Sequence, residues 1–122
     1  MRAETVGVAL GLALVTATVL GANALVEPVS VAGGSMQPAL YPGDVVFVDH
    51  RARPAVGDIV LIGQPGHGPV LHRVIGLDEV NRLRTKGDAN PVEDFQHAEL
   101  RHVRGCVSAV LPIGMFVERW RR

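Results

Sequence analysis

The chain has 122 residues, with 12 basic and 12 acidic side chains and a formal net charge of zero. That balance supplies no global basic field, which argues against nucleic acid as a partner. A single cysteine, Cys106, excludes an intramolecular disulfide, so an exported domain of this chain must be held by its core, where Cys106 reads as a small buried hydrophobe.

Residues 5–26 carry no charge. At 1.5 Å per helical residue, roughly 22 positions reach ~33 Å, enough for a hydrocarbon core of ~30 Å. The expectation is one N-terminal transmembrane helix over 5–26, preceded by a short cytoplasmic tail of residues 1–4. Glu27-Pro28 closes it, because a carboxylate is costly in lipid and proline disfavours helix in the residue before it. The competing reading is a cleaved secretory signal, with Arg2 as its positive region and Ala22-Asn23-Ala24 as a small-x-small site. The apolar stretch exceeds the ~7 to 15 residues usual for such a signal. Both readings export residues 27–122, enough for one small domain.

In that exported part, apolar residues come in short β-branched bursts at 29–31, 45–48, 59–62, 70–75 and 103–111. Turn formers separate them: Pro42-Gly43-Asp44, Pro54 with Gly57-Asp58, Pro65-Gly66-His67-Gly68-Pro69, and Gly87-Asp88 with Asn90-Pro91. The pattern predicts a mainly antiparallel β domain, with no long stretch of helical periodicity. The Gly-Asp pair before aliphatics recurs at Gly43-Asp44 and Gly57-Asp58, read as repeated turn-to-strand chemistry rather than duplication. Residues 106–117 are apolar again, but a dozen helical residues reach only about 18 Å, and Pro112 and Gly114 interrupt them. A second crossing is not expected. Arg101, Arg104, Arg119, Arg121 and Arg122 outnumber Glu99 and Glu118 near the C-terminus, with Trp120 among them. A foot at the lipid interface and a solvated polar tail both fit that composition.

Ser35 stands behind Gly33-Gly34, just beyond the uncharged run. Glycines permit unusual backbone angles and close approach of a substrate chain, so Gly33, Gly34 and Met36 are the candidate oxyanion and substrate-binding positions. Pro38 is expected to start a short turn that fixes the backbone after the serine. A Gly-Gly-Ser segment is also an ordinary loop, and the serine needs a base. Of five histidines, His50, His67, His97 and His102 lie in turns or polar stretches. His72 lies inside the alternating segment Val70-Leu71-His72-Arg73-Val74-Ile75, on the same face as Val70 and Val74. An imidazole there is either a satisfied core histidine or a base suited to near-neutral pH. The following turn-rich segment, residues 86–94, offers carboxylates to orient it, and spacing does not choose between Asp88 and Asp94. His97 and His102, five apart, do not share a helical face, and no zinc pattern is present.

Four blocks in order resemble the type I signal peptidases, in their archaeal and endoplasmic-reticulum-type branch: Gly34-Ser35-Met36-Gln37-Pro38-Ala39-Leu40; Pro42-Gly43-Asp44-Val45-Val46-Phe47-Val48; Gly57-Asp58-Ile59-Val60; and His72-Arg73-Val74-Ile75, followed by Thr85-Lys86-Gly87-Asp88-Ala89-Asn90. Most bacterial members have a lysine base before the arginine matched by Arg73; His72 in its place points to the Ser-His branch. The resemblance implies a signal-peptidase/LexA-like β fold, single-pass in the cell membrane with the catalytic domain outside. It implies Ser35 as nucleophile, His72 as general base, Asp94 as third member and Asp88 in support. The substrates implied are secretory preproteins cut after small residues, with membrane lipid and an accessory membrane protein as partners and no cofactor. One departure stands out: the family commonly has a serine or threonine where this chain has Gly33, so a hydroxyl donor to the oxyanion is missing. The other functions that fit are a maturation protease dedicated to one or a few substrates and a non-catalytic, membrane-anchored β binding module. A self-cleaving repressor-type protease fits less well, since that relative uses a lysine base, and Lys86, the one lysine, precedes a turn.

Overall fold

The computed structural model describes residues 25–122. The expected tail and nearly all of the expected span lie outside the described residues. Of the span's last two positions, Leu25 is in a turn and Val26 opens the first strand. Among the described residues, no helix is long and apolar enough to cross a membrane.

Six antiparallel strands form one sheet: β1 (Val26–Ser30), β2 (Val45–Asp49), β3 (Ile59–Ile62), β4 (Val70–Leu77), β5 (Leu83–Lys86) and β6 (Val103–Leu111), in the order β1-β2-β6-β3-β4-β5. The β-branched bursts give these strands because branched side chains pack well on a pleated surface. On β2 the pleat sends Val46 and Val48 fully inside, with Val45, Phe47 and Asp49 half-buried between them. On central β3, neighbours Val60 and Leu61 are both buried although they point to opposite faces, so this strand is covered on both sides. Two core clusters result. Val31, Met36, Leu40, Val46, Val48 and Leu61 form one; Val60, Ile62, Val74, Leu83, Ala98 and Cys106 form the other. The lone cysteine is thus a buried core residue.

The repeated Gly-Asp pairs share one local device. Gly43 and Gly57 take φ of 90° and 99°, open to glycine without a side-chain clash. Each following carboxylate then accepts an amide three residues back: Tyr41 N–H donates to Asp44 Oδ2 and Ala55 N–H to Asp58 Oδ2, both at 2.8 Å.

Two elements depart from the expectation. The first is β5, whose inward residues are only Leu83 and Thr85, with Arg84 and Lys86 half-buried between them. The second is a nine-residue helix, α1 (Ile113–Arg121). Pro112 ends β6 and stands at the helix start, where its missing N–H is no loss. Gly114 lets the first turn lie on the β1–β2 loop, since a Cβ there would overlap the Pro42 carbonyl oxygen. Met115 N–H donates to Asp44 Oδ1 at 3.0 Å. The two residues read as interruptions therefore begin a docked helix.

Candidate active site

Ser35 sits in the loop after β1, and the loop is pinned from two sides. On one side Met36 and Leu40, each 1% exposed, enter the first core cluster, a burial worth about 1.5–3 kcal/mol per side chain. The turn is closed by Leu40 N–H to Met36 O at 2.8 Å and Gln37 N–H to Gly34 O at 3.2 Å, and the Gln37-Pro38 peptide is cis. On the other side Ala89 N–H donates to Ser35 O at 2.8 Å. Gly87 makes that approach feasible: a Cβ on it would lie 2.8 Å from Ser35 O and 3.0 Å from Ser35 Cβ.

His72 points inward from β4 and is 9% exposed, next to Val74 at 1% on the same face, whereas Val70 at the strand start is exposed. Its Nε2 lies 3.2 Å from Ser35 Oγ, and its Nδ1 lies 2.6 Å from Asp94 Oδ2. An ionised carboxylate only accepts, so the ring proton on that edge is on Nδ1 and the Nε2 lone pair faces the serine hydroxyl. Such a relay takes a proton from the hydroxyl as its oxygen attacks, while the carboxylate stabilises the imidazolium.

Spacing left Asp88 and Asp94 as alternatives, and the structure separates them. Asp94 reaches His72. Asp88 makes no hydrogen bond to His72 and instead takes a two-pronged bond from Arg73, with Nε to Oδ1 at 2.9 Å and Nη2 to Oδ2 at 2.7 Å. Arg73 Nη1 also donates to Gly57 O at 2.8 Å. The Arg73 guanidinium holds the Asp88 carboxyl below its ordinary 3.8, and the pairing raises Arg73 in turn. This ion pair braces the turn after β5. Lys86 Nζ donates to the carbonyls of Gly87 and Asp88, at 3.1 and 3.4 Å, and faces the turn rather than the serine.

Thr85 was not among the site residues expected from the sequence. It is 1% exposed, its Oγ1 donates to Asp94 Oδ2 at 2.7 Å, and its carbonyl accepts Asp94 N–H at 2.8 Å. In the sequence it stood only as a member of the Thr85-Lys86-Gly87-Asp88-Ala89-Asn90 block, between charged neighbours Arg84 and Lys86. The other histidines do not join the relay. His50 bridges Arg104 O and Glu27, and His97 pairs with Asp78 at 2.7 Å.

A groove of about 490 Å³ opens on the relay. Residues 29–33 form one wall and residues 69–71 the other, with Ser35, Met36 and His72 between them. Gly33 lines the groove, and a Cβ there would meet nothing within 4 Å. The Ser35 N–H has no acceptor among the described residues.

The chain is similar in sequence to known proteins. The catalytic subunit SEC11 of the signal peptidase complex from Candida tropicalis is 42% identical over 79 residues, covering 61% of this chain and 48% of that protein. The SEC11 subunit of Schizophyllum commune is 33% identical over 113 residues, covering 69% and 58%. That of Pyricularia oryzae is 32% identical over 103 residues, covering 73% and 60%. The chain spans roughly half the length of these relatives. The family model described as signal peptidase, peptidase S26, matches residues 3–90, a stretch that holds Ser35 and His72 and stops short of Asp94. On a match that takes in the serine loop, the Gly-Asp turns and the histidine strand together, this chain belongs to the signal peptidase family, peptidase S26.

Proposed function

We propose that this protein is a membrane-bound serine endopeptidase that removes signal peptides from exported preproteins. The observation that carries the reading is the continuous relay from Ser35 Oγ through His72 to Asp94, opening on a groove with extended backbone on both sides. Ser35 Oγ attacks the carbonyl carbon of the scissile bond as its proton passes to His72 Nε2. Asp94 holds the ring and balances its charge. The tetrahedral oxyanion collapses as the imidazolium gives its proton to the leaving amine, which departs as the mature N-terminus. Water, deprotonated by the same nitrogen, then cleaves the acyl ester and restores the serine.

The Ser35 N–H is the natural oxyanion donor, with the neighbouring Gly33, Gly34 and Met36 lining the approach. The substrate lies extended between the two groove walls, since main-chain bonds tolerate varied sequences while shallow pockets select small side chains. The expected N-terminal span, shortened at its end by the turn at Leu25 and the strand from Val26, fixes the domain to the outer face of the cell membrane. The relatives are named as subunits of a complex, which fits an accessory membrane protein as partner. One observation favours a non-catalytic binding module instead: Gly33 offers no hydroxyl to the oxyanion.

The test is cleavage of a preprotein with small residues at the first and third positions before the cut, by the full chain in detergent. Wild type cleaves and Ser35→Ala does not. Equal cleavage by both, or none by either, overturns the proposal.

A further inference from the structure

We propose that Thr85 is a positioning residue for the Ser35–His72–Asp94 reaction, fixing the Asp94 carboxylate and through it the His72 ring; the inference rests on the function proposed above. Thr85 is 1% exposed on a strand whose neighbouring residues, Arg84 and Lys86, are charged. A buried hydroxyl needs a partner, and its Oγ1 spends its proton on Asp94 Oδ2 at 2.7 Å. The same oxygen accepts the His72 Nδ1 proton at 2.6 Å. The atom that orients the ring is therefore itself located by Thr85.

The grip is double, because the Thr85 carbonyl also takes the Asp94 N–H at 2.8 Å. Main chain and side chain of Asp94 are thus both referred to one residue of β5. Without the hydroxyl, the His72 N–H is the one hydrogen bond left to the carboxylate among the described residues: its terminal torsion is broad, and the side chain is 27% exposed, open to rotation toward water. Two residues further on, Gly87 abuts the Ser35 backbone, and Arg73, next to His72, pairs with Lys86 in the β4–β5 register. A single short strand is therefore the common frame for nucleophile, base and carboxylate. A misplacement near 1 Å in such a relay costs about 100-fold in rate.

The experiment compares Thr85→Val, which keeps the shape and loses the hydroxyl, with Thr85→Ser, which keeps the hydroxyl. Both are made in the full chain in detergent and assayed on the same preprotein. Thr85→Val is expected to lower kcat about 10- to 100-fold with KM changed less than about 2-fold. Thr85→Ser is expected to keep kcat within about 3-fold of wild type. In a Ser35→Ala background, the low-field proton signal of His72 Nδ1 should persist with threonine or serine at position 85 and exchange away with valine. Wild-type kcat in a folded Thr85→Val protein overturns the inference. So does a Thr85→Ser protein that melts normally yet is as slow as Thr85→Val; if Thr85→Val does not fold, the Thr85→Ser rate alone decides. Cleavage that needs Ser35 and His72 but ignores position 85 defeats only the role of Thr85. Cleavage that survives Ser35→Ala defeats both this role and the function it serves.

Discussion

Under the proposed function, replacing Gly33 with serine adds a hydroxyl donor to the groove beside Ser35, and the structure has room for it. A Cβ at Gly33 meets nothing within 4 Å, and its φ lies outside the left-handed region, so neither space nor backbone opposes a side chain. Position 34 is tighter, with Gln37 Nε2 at 3.4 Å from an added Cβ. A fully preorganised oxyanion donor is worth about 2.7–4 kcal/mol, but this hydroxyl would stand in open space with nothing to hold its rotamer. A hydrogen bond to a charged group is worth about 1.5–3 kcal/mol net, and holding one of three staggered rotamers costs about 0.7 kcal/mol. The remainder, about 1–2 kcal/mol, predicts a kcat about 5- to 30-fold above wild type. Gly33→Ala is the control, since it stiffens the backbone in the same way without adding a donor. Both variants are assayed by steady-state cleavage of a preprotein in detergent. Equal kcat for Gly33→Ser and Gly33→Ala would refute the reasoning, because the gain is then no property of the hydroxyl.

His72→Ala should abolish cleavage as completely as Ser35→Ala, while Lys86→Ala retains most of it, because the Lys86 ammonium faces the turn carbonyls; equal losses at His72 and Lys86, or a pH profile rising only above about pH 8, would defeat the base assignment. Gly87→Ala drives a methyl to within 2.7 Å of Asn90 Nδ2 and 2.8 Å of Ser35 O, so thermal stability should fall by about 1–3 kcal/mol and kcat with it; a variant with wild-type melting and rate would show that the contact is not needed. Since Arg73 holds the Asp88 carboxyl below its ordinary 3.8, the pair's stabilisation is fully present above about pH 4 and is lost as the pH falls below 3.8 through the folded-state value. Urea midpoints between about pH 2 and 5 should drop steeply for wild type and less for Asp88→Asn; parallel curves would exclude that contribution.

How much of this was legible in the sequence depended on how local each cause is. β2, β3, β4 and β6 lie where β-branched bursts meet Gly, Pro and Asp, because turn chemistry and pleat packing act within a few residues. β1 begins earlier than the expected 29–31, since Glu27 and Pro28 broke the apolar pattern while the edge position tolerates both. β5 was hidden because only two of its residues face inward, and one is a threonine. The helix was hidden because its apolar residues run on from β6, and the docking that starts it is made to residues some 70 positions away. In the site, alternation along β4 singled out His72 and the glycines singled out Ser35. The choice between Asp88 and Asp94 depended on the path of the turn after Lys86, which an arginine on the neighbouring strand decides. The pairing of Thr85 with Asp94 follows from the same path and had no local signature.

Asp44 ties α1 to the segment that carries Ser35. It is 1% exposed, and each of its oxygens holds one main-chain amide, Tyr41 from the segment after Ser35 and Met115 from α1. Its carbonyl also takes Val31 N–H at 2.8 Å, just ahead of the two glycines. A deletion that removes Met115 takes away one of the two amides that hold the Asp44 carboxylate, so shortening α1 is felt in the segment after Ser35.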